Sequence, residues 1–92
     1  MSEIDLTRTL LVANRAGLHA RAASLIAVLV RGFKARVTIA KGNNRVDGGD
    51  VLQIMSLGAA QGEELSAEAT GQEARQAMDA LEKLFLDKFD ED

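Results

Sequence analysis

The 92-residue chain has no cysteine, proline, tryptophan or tyrosine, only one histidine, and three phenylalanines. Without cysteine there can be no disulfide, thiol nucleophile, thiolate zinc site or iron–sulfur cluster. A single histidine excludes a multi-histidine metal centre within the chain, so any metal would rest on carboxylates; neither metal nor cofactor is expected. The longest uninterrupted apolar run is Leu25–Val30, far short of the roughly 20 residues that span a bilayer. The opening Met1–Ser2–Glu3–Ile4–Asp5 carries acid where a secretory signal carries base. A soluble, cytoplasmic chain without membrane insertion is expected. The phosphate-loop, dinucleotide and nucleophile-elbow motifs are also missing, which disfavours autonomous catalysis.

What remains is a folding composition, with 47% hydrophobic residues. A chain of this length supports one modest core, so residues 1–92 are expected to form a single domain with a short acidic C-terminal tail. The net charge of −3 hides a division. Residues 1–49 hold eight bases and three acids, whereas residues 50–92 hold 11 acids and three bases. The division either orients the molecule toward a partner or interleaves once the halves fold together.

Leu6, Leu10 and Val12 share one parity, with Arg8 interrupting them, and predict a strand over Leu6–Val12. After the Asn14–Gly17 loop the spacing lengthens. Leu18, Ala22, Leu25, Ile26, Leu29 and Phe33 follow one helical face, predicting a helix over Ala20–Val30 with Gly32 as a left-handed stop. Ala35, Val37 and Ile39 alternate with Arg36 and Thr38 as in a half-buried strand, and a turn at residues 41–44 leads to a short strand over Arg45–Asp47. Asp50 is placed to cap a short helix containing Val51, Leu52, Ile54, Met55 and Leu57, with Ile54 and Leu57 inward and Leu52 and Met55 outward. Leu65, Ala67 and Ala69 mark a fourth strand, and Ala74 to Phe85 run at helical spacing toward Phe89. Asp87, Asp90, Glu91 and Asp92 are expected to form a frayed, solvated terminus. The order βαββαβα fits an α+β fold in which one four-stranded sheet is covered on one face by helices.

The chemistry concentrates at Gly17–Leu18–His19–Ala20–Arg21, where the first loop meets the first helix. A helix start offers unpaired N–H groups and the positive end of the macrodipole, which together can hold an anion. Imidazole is largely unprotonated near neutral pH, so its free nitrogen can attack a phosphoryl group. Backbone amides and the Arg21 guanidinium could then bind the attached oxygens, with Gly17 leaving room for close approach. From residue type alone, a lone histidine is more often a satisfied structural residue than a reactive one.

The pentapeptide, continued by Ala22–Ala23–Ser24, resembles the active-site segment of the HPr family, the histidine phosphocarriers of the bacterial phosphoenolpyruvate-dependent phosphotransferase system. Residues 54–65, Ile-Met-Ser-Leu-Gly-Ala-Ala-Gln-Gly-Glu-Glu-Leu, resemble the family's second helix and the turn after it. The resemblance implies an open-faced β-sandwich, four antiparallel strands with three helices on one side. It also implies a phosphocarrier rather than an enzyme, with His19 phosphorylated on Nδ1 by enzyme I and Arg21 as the active-site arginine. Gly17, Ala20 and Arg21 would bind the phosphoryl group. Partner docking would fall to Ala20, Ser24, Val28 and Arg31 on the first helix and Val51, Leu52 and Met55 on the second.

Downstream phosphotransferase proteins are the expected acceptors, in sugar uptake or in a regulatory chain, and the carrier is expected to be monomeric. Two departures stand out. Ala22 occupies the place of the family's usual proline, and Asp50 aligns with a serine that many members have phosphorylated for regulation. The missing serine and the acidic ending are similar to the nitrogen-related NPr branch. A ferredoxin-like regulatory or ligand-binding domain also suits the element order, and would make His19 incidental. An RNA-binding module is disfavoured by the acidic total and the scarcity of aromatic residues, so no nucleic-acid partner is expected.

Overall fold

The computed structural model describes residues 6–91. Its elements are β1 (Leu6–Leu11), α1 (Ala20–Arg31), β2 (Arg36–Lys41), β3 (Asn44–Asp47), α2 (Val51–Ser56), β4 (Glu64–Thr70) and α3 (Ala74–Leu86), followed by a turn at Lys88–Asp90. This is the predicted order, with boundaries displaced by a residue or two. All strand pairs are antiparallel and the sheet order is β1-β4-β2-β3. β4 therefore enters between the two strands that flank α1, and the three helices cover one face. No helix among the described residues is long and apolar enough to cross a membrane.

Register places the alternating apolar residues side by side: Leu10 opposite Leu65, Val37 opposite Ala69, Ile39 opposite Ala67 and Val46. Ile26 from α1, Ile54 from α2, and Met78 and Leu81 from α3 close over them, all fully buried. The α1 stripe is rotated from the expected one. Leu25 and Leu29 are only half-buried, while Ala22, Ala23, Ile26, Ala27 and Val30 face the core. Three alanines on that face let the helix lie close to the sheet. Gly32 is not left-handed: its φ is −78°, and α1 closes with the Gly32 N–H donating to the Leu29 carbonyl at 3.1 Å and the Phe33 N–H to the Val30 carbonyl at 3.2 Å.

Arg8 breaks the apolar parity of β1 because it reaches α3, where its guanidinium meets Asp79 at 2.7 Å and Glu82 at 3.0 Å. Lys41 pairs with Glu63 and Arg45 with Glu68. The two oppositely charged halves of the sequence thus interleave, as one of the two readings of the charge division anticipated.

The C-terminal tail corrects the sequence expectation. Phe89 is fully buried, its ring edge-on to Phe85 with centroids 4.9 Å apart. Lys88, Phe89 and Asp90 all have left-handed φ, at 54°, 55° and 58°. Three such residues cost roughly 3–6 kcal/mol, more than the ~1.5–3 kcal/mol gained by burying one phenylalanine. Further contacts must hold the segment, and they lie beside α1.

Candidate functional site

The loop between β1 and α1 is fixed from within. Asn14 is buried and donates Nδ2–H to the Gly17 carbonyl at 2.8 Å, while the Gly17 N–H returns to the Asn14 carbonyl at 3.3 Å. Gly17 has φ +71°, and a Cβ there would stand 2.6 Å from the Ala59 carbonyl oxygen. The neighbour that needs this glycine is therefore the protein's own backbone. Gly17 is buried rather than open to an incoming phosphate, contrary to the sequence expectation. The Leu18 N–H donates to the same Ala59 oxygen at 3.1 Å, fixing where α1 begins.

His19 is the N-cap of α1, with extended backbone, and its Nδ1 accepts the Arg21 N–H at 3.3 Å. The first helical bond runs from the Ala23 N–H to the His19 carbonyl, so the amides of Ala20, Arg21 and Ala22 stand ahead of the ladder. The imidazole takes the position that serine or aspartate usually fills, with one nitrogen directed at the positive end of the helix. The side chain is 34% exposed, enough to meet another protein.

The opposite ring nitrogen, Nε2, lies 2.9 Å from Glu91 Oε2 and 3.1 Å from Oε1. Glu91 also receives the Arg21 guanidinium at 2.8 Å and Asn14 Nδ2 at 2.9 Å. Arg21 donates in addition to the Phe89 carbonyl at 2.8 Å. These are the contacts that hold the strained tail. The Asn14 amide above all, and then His19, hold the Glu91 carboxyl below its usual 4.5. Sequence reading missed Asn14 and Glu91. The acidic ending and the polar loop residue were visible, but nothing local ties Glu91 to a histidine 72 residues away or to Asn14 77 residues away.

The proposed docking residues divide by burial. Val28 and Leu52 are 67% and 76% exposed, Met55 and Ala20 are exposed, and Ser24 and Val51 are half-buried. Ile54 and Leu57 point into the core. Arg31 is exposed and donates its Nε–H to the Gly49 carbonyl at 2.8 Å, linking α1 to the approach of α2. Asp50 caps α2 through the Gln53 N–H at 3.1 Å, and the Gln53 side chain returns to its second oxygen.

The site is thus one partly exposed imidazole on a helix start, beside an arginine, at the edge of an open sheet backed by helices. The family model described as the PTS HPr component phosphorylation site matches residues 6–87. Phosphocarrier protein NPr of Shewanella violacea is 37% identical over 86 residues, covering 94% of each chain. Phosphocarrier protein HPr of Treponema pallidum is 34% identical, over 92% of this chain and 97% of its own. Among solved structures, HPr from Thermoanaerobacter tengcongensis superposes with a TM-score of 0.87 at 34% identity, covering 100% of this chain and 99% of that one. The chain belongs to the HPr family of histidine phosphocarriers of the phosphotransferase system. It is a phosphoryl carrier that accepts its group on histidine, rather than an autonomous enzyme, and proteins of this type work with enzyme I and downstream phosphotransferase components. The ferredoxin-like alternative is thereby set aside.

Proposed function

We propose that His19 is the phosphoacceptor, through Nδ1, and that Arg21 assists the transfer. One observation carries this reading: Nδ1 is the ring nitrogen turned to the start of α1, 3.3 Å from the Arg21 amide, whereas Nε2 is engaged by Glu91. The Nδ1 lone pair forms the new N–P bond as the bond from phosphorus to the donor breaks, and that bond's electron pair stays with the donor. The forward Ala20 and Arg21 amides and the Arg21 guanidinium then serve the phosphoryl oxygens. The Arg21 side-chain bonds to Glu91 and to the Phe89 carbonyl both use Nη1.

The donor is enzyme I charged from phosphoenolpyruvate, and the acceptor is a downstream phosphotransferase protein in the cytoplasm. Ala20, Ser24, Val28 and Arg31, with Val51, Leu52 and Met55, form the docking face. A small apolar patch beside a steering charge suits a monomeric carrier that must bind and release several proteins. Asp50 gives the edge of that face a permanent negative charge while capping α2.

Incubation with enzyme I and labelled phosphoenolpyruvate tests the assignment. The wild-type protein should take up one acid-labile phosphoryl group, and His19→Ala none, with unchanged far-ultraviolet dichroism. Undiminished labelling of His19→Ala would overturn it.

A further inference from the structure

We propose that Glu91 is a positioning residue for the phosphoacceptor: its carboxylate accepts the Nε2–H of His19 and holds the ring in the tautomer whose Nδ1 lone pair is free. This rests on the reading of His19 as the residue phosphorylated at Nδ1. The family match ends at residue 87, so Glu91 lies beyond it.

Two independent contacts select the same tautomer. On one side of the ring the Arg21 N–H needs an acceptor at Nδ1, 3.3 Å away. On the other, Glu91 offers only acceptors, at 2.9 and 3.1 Å from Nε2. A neutral imidazole satisfies both only with its proton on Nε2. A carboxylate set behind an imidazole in this way fixes ring orientation and stabilises the charge that develops when the far nitrogen bonds to an electrophile.

The carboxylate is itself held in place. Asn14 Nδ2 donates to Oε1 and the Arg21 guanidinium to Oε2, and the Glu91 side chain is only 21% exposed. A carboxyl is ionised at neutral pH, and the Asn14 bond, the largest cause, lowers this one further below its ordinary value. Behind it, the buried Phe89 and the bond from Arg21 to the Phe89 carbonyl keep three consecutive residues left-handed. A frayed terminus would not retain that conformation, so tertiary contacts impose it. Arg21 can turn to a phosphoryl group while Asn14 and His19 still retain the carboxylate.

The test uses the full chain, nitrogen-15 labelled, above the pH range in which imidazole titrates. Long-range proton–nitrogen correlation should show one tautomer in the wild type, with Nε2 protonated. Glu91→Ala should move both ring nitrogens toward the averaged shifts of an unconstrained imidazole. Glu91→Gln keeps an acceptor oxygen and should restore the wild-type pattern. Acceptance from phosphorylated enzyme I should slow roughly fivefold in Glu91→Ala, the worth of about one net hydrogen bond, and recover in part in Glu91→Gln. Ring shifts in Glu91→Ala identical to wild type would overturn the proposal. So would faster acceptance by Glu91→Ala, which would show that the carboxylate serves only to occupy Arg21. Failure of the wild-type protein to label on His19 would instead defeat the phosphoacceptor reading, and the tautomer measurement reports separately from it.

Discussion

Replacing Gly17 by alanine imposes two separable costs on the loop that carries His19. At φ +71° the residue is left-handed, where an L side chain costs about 1–2 kcal/mol. The new Cβ would also stand 2.6 Å from the Ala59 carbonyl oxygen and 3.2 Å from the Ala60 Cα. Both obstacles are backbone and cannot rotate away, so the segments must separate, at about 1–3 kcal/mol. That movement also stretches the Leu18 N–H bond to the same oxygen. The expected loss is therefore about 3 kcal/mol. Gly42 and Gly58 provide internal controls: each has φ +60°, and an added Cβ meets nothing within 4 Å. Alanine at either should cost only the conformational part, about 1 kcal/mol. For a domain of this size each 1 kcal/mol lowers Tm by about 4–8 °C, so Gly17→Ala should fall by roughly 12–24 °C and the controls by about 4–8 °C. Thermal melts followed by circular dichroism, paired with urea titrations at unchanged m value, measure all three. Equal losses at Gly17 and Gly42 would refute the close approach to Ala59 as the reason glycine is needed.

The lowered Glu91 carboxyl adds stability that is fully present above 4.5 and is lost as pH falls through the lower folded value. A Tm–pH series from acid to neutral should therefore show wild type and Glu91→Gln converging toward the acid end. Ala22→Pro occupies an amide already ahead of the helical ladder and should stabilise by about 0.4–1 kcal/mol in a urea titration, through reduced freedom of the unfolded chain. Asp50→Ala should cost about 1 kcal/mol by the same method, with Asp50→Asn retaining most of the cap. Leu52→Glu, at a 76% exposed position, should weaken transfer from enzyme I with little change in Tm; a collapse of the fold would instead place Leu52 in the core.

Local chemistry is enough to read much of the molecule. Alternation at Val37 and Ile39, the helical run through Ile26, and the Asp50 cap each depend on residues within a few positions of one another, so a linear pattern carries them. The proposed phosphoacceptor site could be picked out for the same reason: His19, Arg21 and the helix start are neighbours in sequence as well as in space.

Tertiary structure alone decided the features that join distant segments. Arg8 looked like an interruption of β1 until α3 brought Asp79 and Glu82 against it. The α1 stripe turned toward its alanines because the inward face depends on how near the sheet lies. Glu91 shows the limit most clearly. As part of an acidic ending it reads as solvated, since neighbouring carboxylates repel and nothing local shelters them. Only burial of Phe89 against Phe85 brings it across to Asn14, His19 and Arg21. Periodicity reports which face of an element is apolar, whereas a contact spanning 72 residues depends on how the elements pack, and the packing free energy belongs to the whole core.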